Sequence, residues 1–247
     1  MPLLYQRHNK LDLTLNESLL EIIMLVTIAD ILSSEQLTAV RKLLENAAFV
    51  DGRLSAGKTA RKVKKNHELA ADSTLHNQLN NIVMNALYNH PVYQAAVLPH
   101  RLATPFYARY EPGETYGEHV DDPIMGPMQG RYRTDVSTTI FLNEPDSYEG
   151  GEVVIQTQSG EQRFKLAAGH ALTYPSGALH HVAEVTKGTR LVAVTWAQSL
   201  IRDAEKRELL FNLHNTREAL QKKYPDDKEV VKVDHTYINL RRLWAEI

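Results

Sequence analysis

Between residues 102 and 197 the chain breaks into short β-type runs, and that punctuation restricts its fold more than any other feature. The runs fall at 102–110, 116–120, 136–142, 152–157, 163–166, 171–174, 181–185 and 190–197. Turn residues separate them: Glu111-Pro112-Gly113, Glu149-Gly150-Gly151, Ser159-Gly160, Ala168-Gly169, Pro175-Ser176-Gly177 and Lys187-Gly188. About eight strands at a spacing of ~8–12 residues indicate an all-β sandwich or jelly roll. No strand–helix–strand alternation appears, which argues against a doubly wound parallel sheet.

Helical periods flank this block. Residues 24–27 read as a short strand, and Ser33-Ser34-Glu35-Gln36 matches a capping box. Leu37, Val40, Leu44 and Ala47 follow at helical spacing. A second helix is expected over 73–88, with Leu75, Leu79, Ile82, Val83 and Ala86 on one face and Pro91 as its stop. After Ser199 a helix is expected over 200–223, with Leu209, Leu210, Leu213 and Leu220 available for packing. Pro225-Asp226-Asp227 breaks it, and Val230, Val233, Tyr237, Leu240 and Trp244 then share one stripe. The expected organisation is an N-terminal extension (1–23), a helical and strand support region (24–100), a β core (101–199) and a C-terminal helical extension (200–247). The extension is expected to cover one sheet or to join two subunits as a homo-oligomer.

Composition narrows the function classes. Of 247 residues, 43% are hydrophobic and 23% charged, as in ordinary globular chains. Lys and Arg number 28 against 30 Asp and Glu, a net charge of −2. That excludes a globally basic nucleic-acid binder and leaves room only for a local patch. Cysteine is absent, so no disulfide, thiolate zinc site, iron–sulfur cluster or cysteine nucleophile can form. Any metal must be held by His, Asp, Glu or backbone oxygen. No apolar run reaches the ~18 residues of a membrane span, and the first 23 residues lack a continuous apolar stretch. The expected location is the cytoplasm.

The chemistry-bearing segment is Arg109-Tyr110-Glu111-Pro112-Gly113-Glu114-Thr115-Tyr116-Gly117-Glu118-His119-Val120-Asp121. His119 and Asp121 project from one face of an extended chain and can converge on one ion. His180 follows 59 residues after Asp121, at the start of a late strand that a jelly roll returns beside an early one. Two imidazoles and one carboxylate leave the opposite side of a metal open, the arrangement of non-haem Fe(II) oxygenases. Arg190 opens the apolar strand Leu191-Val192-Ala193-Val194-Thr195-Trp196, where a buried cation needs an anion.

In combination these motifs resemble the Fe(II)- and 2-oxoglutarate-dependent dioxygenases of the prolyl 4-hydroxylase superfamily, and more closely the bacterial PKHD-type hydroxylases. The resemblance covers about residues 24–247. It takes in Val50-Asp51-Gly52-Arg53, Leu142-Asn143, Gly150-Gly151-Glu152, the spacing of His180, Val185, Gly188 and Arg190, and the stretch from Ser199 to Arg207. It implies a double-stranded β-helix (jelly roll) flanked by N-terminal helices and the C-terminal extension, an α+β fold with a mainly β core. It implies that His119, Asp121 and His180 bind one iron(II) per subunit, and that Arg190 binds the distal carboxylate of 2-oxoglutarate. Tyr110 matches a second group on that carboxylate, with Tyr107 and Tyr116 as alternatives, and Trp196 matches an aromatic near the site. The register fixes His180 rather than its neighbour His181 as the third ligand. The implied reaction consumes O₂ and 2-oxoglutarate and hydroxylates a small molecule or a protein or peptide, with release of succinate and CO₂ and with L-ascorbate as reductant. The competing reading is a cupin-like metal-binding module without oxygenase activity, which has no need for Arg190.

Residues 52–67 carry Arg53, Lys58, Arg61, Lys62, Lys64 and Lys65 and no acid. The segment is either a basic loop at the site mouth that attracts an acidic substrate or a solvated flexible loop.

Overall fold

The computed structural model describes residues 24–55 and 57–247; the expected extension over 1–23 lies outside the described residues. Strand β1 (Val26–Ile28) leads to helix α1 (Ser34–Glu45). Ser33 caps α1 in a capping box with Gln36, and Leu37, Val40 and Leu44 are its buried face. Strands β2 (Phe49–Asp51), β3 (Lys64–Lys65) and β4 (His67–Leu69) follow. Helix α2 (Ser73–Asn89) is capped by Asp72, whose carboxylate accepts from the Thr74 and Leu75 amides. Pro91, expected only as a stop, also opens a further helix, α3 (Pro91–Val97), as its first residue. Proline has no amide to lose at that position, so it ends one helix and starts the next.

The expected run 102–110 is two strands, β5 (Pro99–Leu102) and β6 (Phe106–Tyr110). Then come β7 (Glu114–His119), the short hairpin β8 (Ile124–Met125) and β9 (Tyr132–Arg133), β10 (Val136–Phe141), β11 (Tyr148–Gly150) and β12 (Val153–Thr157). Strands β13 (Gly160–Phe164), β14 (Ala171–Pro175), β15 (His180–Gly188) and β16 (Arg190–Ser199) complete the β core. Helices α4 (Ala204–Lys223) and α5 (Lys228–Trp244) close the chain. Asp203 and Asp227 cap them.

Among the described residues every strand pair is antiparallel, with register shifts in the β7–β15, β11–β15 and β5–β16 pairs. The larger sheet runs β1-β14-β10-β16-β6-β4-β2, with β5 also on β16; the smaller runs β13-β12-β15-β7-β3, with β11 on β15. Every residue of β10 is buried, because both faces of the larger sheet are covered. Helices α1, α2 and α3 cover its outer face through a core that includes Leu79, Val83, Tyr93, Tyr107, Ile140 and Ala193. The smaller sheet covers its inner face, where Ala108, Phe141, Leu172 and Val192 meet Val153, Ile155, Val182 and Val185. Strand alternation thus separates each core strand into a helix-facing and a sheet-facing set.

Arg207 fastens the C-terminal helices. It is 2% exposed and donates to the carbonyls of Ile201 (2.7 Å), Arg202 (2.8 Å) and Asp135 (3.4 Å). Burial lowers its pKa to about 10, leaving it charged at neutral pH. Leu210 and Tyr237 pack with Leu98 and Ile201 in a separate small core. Leu209, read from periodicity as a packing residue, is 60% exposed instead. No helix among the described residues is long and apolar enough to cross a membrane.

Candidate active site

His119 ends β7 and His180 begins β15, and the two are direct partners in the sheet register. Asp121, two residues on, turns its Oδ1 toward both: 3.9 Å from His119 Nε2 and 4.0 Å from His180 Nε2. One ligand atom from each of the three lies within 4.8 Å of the others. Each imidazole is oriented by its far nitrogen. His119 Nδ1 lies 2.8 Å from the Gly117 carbonyl, and His180 Nδ1 lies 2.9 Å from the Ala178 carbonyl. A carbonyl only accepts, so the proton sits on Nδ1 and the Nε2 lone pair faces the shared centre. Burial, then the charge of His180, pulls His119 down to about 4, so it is neutral at pH 7.

The other carboxylate oxygen of Asp121 is taken. Its Oδ2 accepts from the Ser137 hydroxyl at 2.5 Å and from Trp196 Nε1 at 2.9 Å. Ser137 in turn pairs with Ser176 at 2.8 Å, both fully buried. Asp121 is thereby fixed with one oxygen held by protein donors and one aimed at the histidines. Sequence reading missed Ser137 and Ser176. The available signal was the polar run Ser137-Thr138-Thr139 inside an otherwise apolar strand.

Arg190 is 1% exposed, and its Nε and Nη1 have no hydrogen-bond partner. Its guanidinium lies 4.8 Å from the Tyr110 ring centre and 5.9 Å from that of Phe141. Gly151 makes room for it. At φ +69° a Cβ there would fall 2.9 Å from Arg190 Cδ, so only glycine fits. Tyr110 pairs directly with Arg190 across β6 and β16. Burial pushes the Tyr110 hydroxyl up to about 12, so it keeps its proton for donation.

His119, Asp121, His180, Arg190, Tyr110 and Trp196 line one cavity of about 560 Å³, together with Tyr116, Tyr174, Val153, Val182 and Val194. Tyr116 stacks on His119 with ring centres 3.7 Å apart. Lys64 sits 5.2 Å from the Tyr116 ring centre and pairs with Glu68 between the two sheets. Lys64, from the basic segment 52–67, and Glu68, which sequence reading did not single out, also line the cavity. Tyr107 corrects an expectation. It is one residue out of phase with Phe106, Ala108 and Tyr110, so it faces the helices and donates to Asn80 Oδ1 at 3.2 Å. His181 is likewise out of phase with His180 and lies opposite Val154, away from the cavity.

The donor set suits a metal. Two imidazoles and one carboxylate on one side of a point match the ligand type of non-haem iron(II). The unpartnered Arg190 donors suit a carboxylate, which accepts two parallel hydrogen bonds.

Comparison with known proteins gives concordant matches. Residues 105–198 match the 2OG-Fe(II) oxygenase superfamily, and residues 204–246 match the PKHD-type hydroxylase C-terminal domain. A PKHD-type hydroxylase of Thioalkalivibrio sulfidiphilus is 51% identical over 224 residues, covering 91% of this chain and 100% of the relative. The PKHD-type hydroxylase YbiX of Escherichia coli K12 is 42% identical over 225 residues, with the same coverage of 91% and 100%. Among solved structures, a prolyl hydroxylase from Trichoplax adhaerens in complex with a hypoxia inducible factor peptide aligns at a TM-score of 0.51. It is 16% identical and covers 75% of this chain and 86% of its own. HygX from Streptomyces hygroscopicus, with nickel, 2-oxoglutarate and hygromycin B bound, aligns at a TM-score of 0.50. It is 14% identical and covers 72% and 84%. These two likenesses concern the fold alone.

Proposed function

Because this chain belongs to the PKHD-type hydroxylase family, we propose that its cavity holds iron(II) on His119, Asp121 and His180 and 2-oxoglutarate against Arg190. The protein is an Fe(II)- and 2-oxoglutarate-dependent dioxygenase, a hydroxylase whose substrate is unidentified. When bound, iron and 2-oxoglutarate supply the oxidation: O₂ converts 2-oxoglutarate to succinate and CO₂, one oxygen atom entering succinate and the other hydroxylating the substrate.

The chain's own residues bind, orient and exclude water. The Nε2 atoms of His119 and His180 and the Oδ1 of Asp121 are the proposed ligand atoms, each already turned by its far-side partner. Arg190 takes the distal carboxylate of 2-oxoglutarate on Nε and Nη1, and the protonated Tyr110 hydroxyl is positioned as a further donor. Val153, Val182, Val194 and Tyr174 wall the cavity with apolar surface, which strengthens these charged contacts. The single observation that carries the assignment is the pair of orphaned Arg190 nitrogens in the cavity that holds the triad. A metal module without oxygenase activity leaves that buried cation unexplained.

The finer reading of the fold is a double-stranded β-helix formed by residues 101–199, supported by 24–100 and extended by 200–247. Ascorbate is the proposed reductant that keeps the metal ferrous. The exposed Leu209, Val231, Ile238 and Leu243 of α4 and α5 favour self-association through the extension. The lack of cysteine favours a reducing compartment. Calorimetry tests the site. Manganese(II), as an oxygen-stable stand-in, should bind one per chain, and 2-oxoglutarate should bind the loaded protein but fail on Arg190→Ala. Equal binding to both proteins would remove Arg190 from the assignment.

A further inference from the structure

The two segments that border the mouth of the cavity carry more exposed cations than exposed acids. Ser55, Gly57, Ala60 and Lys64 line it from one side, and Val120, Asp122, Ile124, Met125, Pro127 and Tyr132 from the other. The first segment is the acid-free basic stretch of the sequence. Gly117 lets it lie flat on β7: the Gly117 amide donates to the Val63 carbonyl at 2.9 Å, and a Cβ at Gly117 would fall 2.9 Å from Val63 Cβ. The basic stretch is therefore built onto the site rather than looped away from it.

Most of its cations have no ionic partner. Lys58, Arg61 and Lys62, beside the lining residues Gly57 and Ala60, are exposed, as are Arg101 and Arg131 beside the other segment. None of these five makes an ion pair among the described residues. Arg101 holds the second segment by donating to the carbonyls of Arg131 (2.9 Å) and Gly130 (3.4 Å). Against them stand two exposed acids, Glu118 and Asp122. A chain with a net charge of −2 thus concentrates unpaired positive charge at one opening. Between the cations the rim is apolar: Phe106 is 41% exposed, Val120 49%, Ile124 54%, Met128 78% and Val63 40%. A ring of exposed hydrophobic side chains inside a cationic border marks a contact surface.

We propose that this mouth docks an acidic polypeptide segment, whose carboxylates meet the flanking cations while an apolar residue enters between Phe106 and Ile124. The proposal rests on the dioxygenase reading of the same cavity and names the class of its substrate. The exposed aliphatic side chains Val120, Ile124 and Met128 favour a polypeptide over a nucleic acid, which would also meet repulsion from Glu118 and Asp122.

Fluorescence anisotropy tests it. The probes are a short labelled peptide of alternating Glu, Leu, Asp and Pro, its Gln and Asn isostere, and oligodeoxythymidylate of matching length. Each is titrated with the full chain loaded with manganese(II) and 2-oxoglutarate. The acidic peptide should bind at least about tenfold tighter than the isostere and lose that margin as salt screens the rim. The triple variant Lys58→Glu, Arg61→Glu, Lys62→Glu should abolish the preference. Equal binding of peptide and isostere, an unchanged preference in the variant, or tighter binding of the oligonucleotide would overturn the proposal. Metal uptake is recorded in the same titrations. Its failure, with the peptide preference intact, would sink the dioxygenase reading of the site and leave the acidic docking surface standing.

Discussion

A guanidinium that is 1% exposed and leaves Nε and Nη1 without partners is tolerable only if an anion reaches it. Arg190→Ala should therefore weaken 2-oxoglutarate binding by at least ~1.5–3 kcal/mol, the range for a charge-assisted hydrogen bond. Metal affinity should stay nearly unchanged, and calorimetry with each ligand separates the two effects. Asp121 makes a second case. Ser137 and Trp196 occupy its Oδ2, so the double variant Ser137→Ala, Trp196→Phe frees the carboxylate to rotate. Metal affinity should fall by about 10–100-fold, as for other groups that orient a ligand. An unchanged affinity would show that the strand backbone alone fixes Asp121. The i, i+2 spacing of His119 and Asp121 was legible in the sequence because extended chains project such pairs together. The Oδ2 partners were not, because Ser137 and Trp196 reach Asp121 across 16 and 75 residues.

Phase along a strand decides which side chains see the cavity. On β15 His180 points inward and His181 outward, so His180→Ala should lose the metal and His181→Ala should retain it. A titration with the reverse order would mean that β15 is shifted by one residue, which would turn all its side chains over. Glycine acts at this scale as well. Gly151→Ala places a methyl 2.9 Å from Arg190 Cδ at a positive φ. It should cost about 1–3 kcal/mol of stability and impair 2-oxoglutarate binding before metal binding. Denaturant unfolding and calorimetry of the variant read both. Periodicity gave α1, α2 and most of the strands, since each buries one regular face. It missed α3, whose seven residues are too few for a helical stripe to declare itself. It also left Tyr107, Tyr110 and Tyr116 as competing pocket residues, because phase depends on a partner strand invisible in the local sequence.

Over the whole molecule, two antiparallel sheets and an outer layer of helices bring residues 119, 121, 180 and 190 into one cavity. The C-terminal helices join that body through Arg207, whose three carbonyl acceptors lie beyond its own helix. Arg207→Met keeps the stem and removes the charge. It should destabilise the chain by about 2–4 kcal/mol in denaturant unfolding, since several buried acceptors lose one donor. A change within ~0.5 kcal/mol, the range of ordinary surface substitutions, would assign the joint to Leu210 and Tyr237 instead. The β core was readable from its turns, whereas the seating of the basic stretch on β7 depends on a backbone contact between Val63 and Gly117 that no spacing rule reveals. The central claim is that the triad and Arg190 together make this chain a 2-oxoglutarate-consuming oxygenase. Isotopically heavy O₂ supplied to the iron(II)-loaded protein with 2-oxoglutarate tests it most directly. The account predicts succinate carrying one heavy oxygen atom from the wild type and none from Asp121→Ala. Absence of succinate from the wild type, or succinate without the label, would contradict it.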